Sequence, residues 1–125
     1  MKLAFLGLGV MGYPMAGHWQ KAGHDVCVYN RTTSKAEAWA SEHGGRYASS
    51  PSEAVAGAQI VAMCLGDDPD VEMVVLGEHG VLEGLEPGAV LVDHTTGSAK
   101  LAQKLHELCA AKKIGFVDAP GLGGQ

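Results

Sequence analysis

Apolar and polar positions along the chain fall into blocks whose period switches back and forth. "LAFLG" (3–7) is a continuous apolar run, and helix-spaced positions follow it to about Ala22, where Gly23 supplies a C-terminal stop. "DVCVYN" (25–30) reads as a second strand. It leads into "TSKAEAWASEH" (33–43), whose Ala36, Trp39 and Ala40 share one helical face. A weak strand at 46–48 precedes Ser50-Pro51-Ser52-Glu53, a helix start with proline in its first turn. "QIVAMCL" (59–65) and "GAVLVDHT" (88–95) are unbroken apolar runs of the kind found in strands covered on both sides, with the helical "DPDVEMVVL" (68–76) between them. "SAKLAQKLHELCAAKK" (98–113) is the clearest amphipathic helix, with Leu101, Leu105, Leu108 and Cys109 as its inner stripe, and "IGFVDAP" (114–120) closes the series. Six strands separated by helices predict an α/β fold with a parallel, doubly wound sheet, because each parallel crossover needs a helix to return the chain.

Composition narrows the partners. The 125 residues are 46% hydrophobic and 18% charged, which suits one globular domain over residues 1–125, without an internal repeat or linker. A formal charge of -5 disfavours nucleic acid and anionic membrane, both of which want a basic face. No apolar stretch reaches bilayer-spanning length, and the apolar run of "KLAFLGLG" is too short, and lacks a cleavage site, to be expected to act as a signal peptide. Cys27, Cys64 and Cys109 are odd in number and lack metal spacing, so they read as reduced, mostly buried thiols of a cytoplasmic protein. The six histidines show no HxxxH or HExxH spacing, which argues against a metal site. Of these, His94 alone follows an acid at the carboxyl end of a predicted strand. It reads as a surface or cofactor-edge residue. Trp19 and Trp39 read as core, and Asp67-Asp68 as a helix N-cap.

The 18 glycines are about twice the usual share of roughly 7%, and three of them carry the chemistry. Gly7, Gly9 and Gly12 form a G-x-G-x-x-G between the first strand and the first helix. In that context Gly7 permits a tight turn, Gly9 lets a pyrophosphate approach the backbone, and Gly12 lets the helix pack close to the sheet. The amides of Val10, Met11 and Gly12, together with the positive end of the helix dipole, would hold the diphosphate of a dinucleotide. An acidic protein can bind an anion by such local geometry.

The end of the second strand chooses the nucleotide. Asn30 falls eighteen residues after Gly12, close to where NAD-binding units place an acid for the ribose 2′-hydroxyl. The chain has "NRTTSK" there instead. Arg31 can fork onto a 2′-phosphate, helped by Thr32, Thr33 or Lys35, so the sequence favours NADP (NADPH) over NAD. Lack of the acid also disfavours FAD and S-adenosylmethionine.

"FLGLGVMGYPMAG", "KAGHDVCVYNRT", "SPSEAVAGAQIVAMCLGDDPDVEMVVLGEHGVLEGLEPGAVLVDHTT" and "FVDAPGLGG" together resemble the N-terminal half of the beta-hydroxyacid dehydrogenases. This is the family of 3-hydroxyisobutyrate dehydrogenase and the glyoxylate/succinic semialdehyde reductases, and the likeness covers essentially the whole chain. It implies a Rossmann-type sheet of order 3-2-1-4-5-6 and an oxidoreductase that moves hydride between NADP and a small hydroxyacid or semialdehyde. By the same resemblance the dinucleotide loop is Gly7, Leu8, Gly9, Val10, Met11 and Gly12, and the NADP-type strand end is Asn30, Arg31 and Thr32. The family's Leu-Pro pair beside the cofactor maps to Leu65 and Gly66, glycine replacing proline. Val71 maps to an aliphatic position near adenine, although a plain core role suits Leu65 and Val71 about as well. Thr96 maps near the nicotinamide ribose, and Gly123 and Gly124 to the substrate loop.

Two departures limit what the resemblance implies. Leu122 stands where the family's substrate loop has serine. The family's catalytic lysine belongs to a C-terminal helical domain, and none of Lys100, Lys104, Lys112 or Lys113 matches it. Catalysis is therefore not expected of these 125 residues alone, since hydride transfer also needs a clamped substrate and a proton donor. Three readings stand: the NADP-binding domain of such an oxidoreductase, a stand-alone NADP(H)-binding module without catalysis, or a subunit completed by a separate helical chain. The open edge of the last strand suggests self-association to a homo-oligomer as well.

Overall fold

A computed structural model describes residues 1–94 and 98–119. In chain order the elements are β1 (Lys2–Leu6), α1 (Gly12–Lys21), β2 (Asp25–Tyr29), α2 (Thr33–His43), β3 (Arg46–Tyr47), α3 (Pro51–Val55), β4 (Ile60–Met63), α4 (Asp68–Leu76), α5 (Val81–Gly84), β5 (Val90–Asp93), α6 (Ala99–Ala111) and β6 (Gly115–Asp118). The strands form one sheet of order β3-β2-β1-β4-β5-β6, every neighbouring pair parallel. This is the parallel, doubly wound sheet expected from the alternating periods, in the Rossmann-type order that the resemblance implies.

Strand pleating splits the interior in two. Leu3, Phe5, Val26, Val28 and Ala62 point to the face covered by α1 and α2, where Ala16, Ala36 and Trp39 meet them. Ala4, Leu6, Val61, Met63 and Leu91 point to the other face, beneath Val55 of α3, Val71, Val74 and Val75 of α4, and Leu101, Leu105 and Cys109 of α6. The chain changes faces between β1 and β4, which are adjacent in the sheet. Their following helices, α1 and α4, leave on opposite sides, so a crevice opens at the carboxyl ends of these strands.

Local signals account for most boundaries. Ser50, Asp67 and Ser98 cap α3, α4 and α6, accepting from the amides of Glu53, Asp70 and Leu101. Gly23 takes a φ of +100° just past α1. Trp39 is fully buried and donates its indole N–H to Tyr13 O at 3.3 Å, whereas Trp19 is half-buried, its ring 5.3 Å from Phe5. A bidentate Arg46–Asp25 pair at 2.9 and 3.2 Å ties β3 to β2 and holds the Asp25 carboxyl below its usual range.

Several expectations shift. The strand read over 59–65 pairs over Ile60–Met63, and just past its end the Cys64 amide still donates to Leu6 O of β1 at 2.9 Å. Leu108 is exposed, because the buried stripe of α6 runs through Leu101, Leu105 and Cys109, at four-residue spacing, and Leu108 falls at its margin. The short α5 has no counterpart in the sequence reading. His94 is 7% exposed and so is not a surface residue: its amide donates to Met63 O at 2.8 Å, and its Nδ1 lies 3.3 Å from Ala119 O. Among the described residues no helix is long and apolar enough to cross a membrane.

Candidate functional site

The crevice predicted by the change of faces is a cleft of about 220 Å³. Four stretches line it: Gly7–Gly9 after β1, Tyr29–Arg31 after β2, Cys64–Gly66 after β4, and Asp70, Met73 and Val74 on α4.

The three glycines have different physical reasons. Gly7 has φ +93°, and a Cβ there would lie 2.1 Å from Cys64 O, so both conformation and space demand glycine. At Gly12 a Cβ would lie 2.2 Å from Gly7 O and 3.0 Å from the Phe5 ring, which fixes how closely α1 approaches β1. Gly9 is the opposite case, since a Cβ there would meet nothing within 4 Å. The fold itself does not require that glycine. What it leaves is bare backbone facing open space at the start of α1. The first amide bonded in that turn is Tyr13, which donates to Gly9 O at 3.1 Å, so Val10, Met11 and Gly12 precede the hydrogen-bonded ladder. Val10 is 92% exposed and Met11 also lies at the surface.

Asn30 links this loop to the next. Its Oδ1 accepts from the Leu8 amide at 2.9 Å, and its Nδ2 donates to Thr32 O at 3.2 Å. The Gly7 amide donates to Tyr29 O at 2.9 Å. Two consecutive loop amides are therefore tied to the end of β2, and the Leu8 amide is already used within the protein. Thr32 caps α2 by backbone geometry, without a side-chain hydrogen bond to the helix.

Arg31 sits at the rim of the cleft with its side chain 75% exposed, and its guanidinium is held by Asp70 Oδ1 at 3.1 Å. Asp70 is 39 residues away in sequence, and no spacing marks it as the partner of Arg31. Asp70, Met73 and Val74 share one face of α4 by their i, i+3, i+4 spacing, and that face borders the cleft. Val71, the residue matched to an adenine contact, is 1% exposed, packs in the core with Val74 and Val75, and is absent from the cleft lining. Leu65 and Gly66 do line it. Cys64 forms part of the same wall, and burial, reinforced by Asp93, pushes its thiol up, so it stands as an uncharged surface. Thr96, Gly123 and Gly124 lie outside the described residues. Lys100 and Lys104 are exposed on α6 beside Asp68 and Glu72, away from the cleft.

The arrangement is that of a dinucleotide crevice: glycine-rich backbone against open space, a helix N-terminus, and a cation at the rim. The comparisons with known proteins agree. The chain is 53% identical over 124 residues to an uncharacterized oxidoreductase of Shewanella frigidimarina, covering 99% of this chain and 43% of that one. It is 40% identical to an Arabidopsis thaliana protein named "Probable 3-hydroxyisobutyrate dehydrogenase-like 1, mitochondrial", covering 99% and 37%. Among solved structures, the 3-hydroxyisobutyrate dehydrogenase of Mycobacterium tuberculosis superposes with a TM-score of 0.80 at 32% identity, over 94% of this chain and 39% of that one. An imine reductase of Myxococcus stipitatus in complex with NADP+ does so at 0.82 and 25%, over 94% and 40%. The chain thus spans about two fifths of the length of these relatives. Residues 2–125 match the family described as the NAD binding domain of 6-phosphogluconate dehydrogenase, and the chain belongs to that family.

Proposed function

We propose that the cleft takes NADP(H) in preference to NAD(H), and that the chain is the cofactor-holding part of an oxidoreductase acting on a small hydroxyacid or semialdehyde. The observation that carries the preference is the end of β2, where Asn30 is spent on the Leu8 amide and the next residue presents a guanidinium at the cleft rim. A carboxylate in place of Asn30 would accept from a ribose 2′-hydroxyl and repel a 2′-phosphate; an uncharged amide whose oxygen already accepts from Leu8 has no charge to repel the phosphate, and the arginine beside it attracts one. Gly9 supports the placement of the diphosphate, since bare backbone beside the first turn of α1 is what an anion needs. In this reading Gly9, Val10, Met11 and Gly12 hold the diphosphate, Arg31 and Thr32 the 2′-phosphate, and Leu65 and Gly66 border the adenosine side. When bound, the nicotinamide supplies or accepts a hydride. The chain's own residues orient the dinucleotide and shape the dry wall behind it.

The same reading expects these 125 residues alone to bind cofactor without reducing a semialdehyde, because among the described residues no lysine lines the cleft to serve as proton donor. Calorimetric titration of the chain with NADPH and NADH tests the preference. NADPH should bind tighter, and Arg31→Ala should shrink the difference by about 1–3 kcal/mol, the loss expected for a charge-assisted hydrogen bond. Equal affinities in the unaltered protein would reject the NADP reading. NADPH consumption by the pure 125-residue chain with glyoxylate or succinic semialdehyde would reject the expectation of inactivity.

A further inference from the structure

The end of β2 carries no acid, yet the fold returns one to the same place from α4. Asp70 is 39 residues from Arg31 in sequence, but its Oδ1 accepts from the Arg31 guanidinium at 3.1 Å and both side chains line the cleft. Its backbone amide donates to the capping carboxylate of Asp67 at 3.1 Å, which fixes the first turn of α4 and with it the position from which Asp70 reaches the cleft. The second carboxylate oxygen, Oδ2, lies 2.8 Å from where a Cβ on residue 66 would stand. A side chain there would push the carboxylate aside. Gly66, the glycine found where the resembling family has proline, leaves it room.

Resting on the reading of this cleft as a nicotinamide-dinucleotide site, we propose that Asp70, given space by Gly66, is a specificity-determining residue that competes with the 2′-phosphate for Arg31 and narrows the discrimination between NADPH and NADH. The two cofactors meet Asp70 differently. A 2′-phosphate brings up to two negative charges, and to reach Arg31 it must displace the carboxylate or lie against it. NADH brings a 2′-hydroxyl, a donor that the carboxylate accepts, which is the service an acid at the end of β2 renders in NAD-binding units. Arg31 therefore pulls the preference one way and Asp70 the other. Asp70 is about 30% exposed, so the competition is screened in part by water.

The test is calorimetric titration of the 125-residue chain with NADPH and with NADH, for the unaltered protein and for Asp70→Asn, Gly66→Ala and Glu72→Gln. Asp70→Asn is nearly isosteric and keeps the backbone bond to Asp67. It should raise the NADPH-to-NADH affinity ratio roughly three- to tenfold, the span of a partly exposed ion pair plus the lost repulsion. Gly66→Ala leaves the net charge unchanged and should raise the ratio in the same direction by moving the carboxylate off the guanidinium. Glu72→Gln removes an equal charge from an exposed residue outside the cleft, and should leave the ratio within about a factor of two. A ratio that stays flat or falls in both Asp70→Asn and Gly66→Ala overturns the proposal, as does an equal rise in Glu72→Gln. If the unaltered chain binds both cofactors and Arg31→Ala abolishes the preference while Asp70→Asn changes nothing, Asp70 loses this role and the nucleotide reading stands. If the unaltered chain binds neither dinucleotide, both fall together.

Discussion

Asn30→Ala should damage the fold and the cofactor site together, and by amounts the hydrogen bonds around it set. Asn30 Oδ1 is the acceptor for the Leu8 amide at 2.9 Å, and Leu8 itself is fully buried between β1 and α1. Removing that acceptor strands a part-buried N–H, at a cost of about 1–3 kcal/mol. The second bond, from Nδ2 to Thr32 O, is solvent-exposed and adds little. A loss near 1.5–2 kcal/mol follows, a large fraction of the roughly 5–15 kcal/mol of a typical domain. Denaturant unfolding reads it as a lowered midpoint at constant slope. Because the loosened loop carries the backbone that faces either dinucleotide, NADPH and NADH should both weaken with their ratio nearly unchanged. Asn30→Asp separates the two roles of this position. The carboxylate keeps the acceptor for Leu8, so stability should hold to within about 0.5 kcal/mol, while preference moves toward NADH as the new charge faces the ribose. The reasoning is refuted if Asn30→Ala unfolds at the unaltered midpoint, or if Asn30→Asp is as unstable as Asn30→Ala and leaves the preference where it was.

Other substitutions and conditions give contrasting outcomes. Gly12→Ala drives a Cβ to 2.2 Å from Gly7 O and should destabilise by about 1–3 kcal/mol or more in thermal unfolding, whereas Gly9→Ala meets nothing within 4 Å and should unfold like the unaltered chain. Gly9→Ala should nonetheless weaken NADPH by more than about 1.4 kcal/mol, a tenfold loss in titration, since its methyl group occupies the space left for a diphosphate. Stability should fall as pH drops below about 4, because Asp25, held down by Arg46, and Asp68, held down by Ser98, both favour their charged forms when folded. Their contribution is present above the unfolded carboxyl range and is lost as protons reach them; Asp25→Asn should flatten that part of the unfolding-versus-pH curve.

Much of the architecture could be read from periodicity, because strands covered on both faces must be unbroken apolar runs and parallel pairing forces a helix between each. Gly7 and Gly12 are legible for the same kind of reason, since the turn after β1 and the close approach of α1 leave no room for a side chain, whereas Gly9 is legible only from its spacing in the motif. What escaped depends on contacts distant in sequence. Asp70 meets Arg31 only because β2 and α4 converge on one crevice, and the sequence marks no such convergence. Its i, i+3, i+4 partners Met73 and Val74 offered a signal, but Val71 shares the helix and looks equally apolar; only the way α4 sits beside the loops after β1, β2 and β4 tells which face meets the cleft. Leu108 fits an amphipathic stripe by spacing, yet the exposed margin of α6 depends on how the helix sits on β5 and β6. The four-residue α5 carries too little period to announce itself. His94 reads as a surface or cofactor-edge residue at a strand end, and is buried where its amide continues the ladder to Met63 O and its ring lies against Ala119 O.

The central claim is that backbone amides at the start of α1 grip the cofactor while Arg31 engages its extra phosphate. Two-dimensional amide NMR of the isotopically labelled chain, titrated with NADPH and then with NADH, addresses it residue by residue. The account predicts large saturable shifts at Gly9, Val10, Met11 and Gly12 with both cofactors, and shifts at Arg31 and its side chain that are much larger with NADPH. Saturation that leaves those four amides unmoved, or an Arg31 response indifferent to the 2′-phosphate, would contradict it.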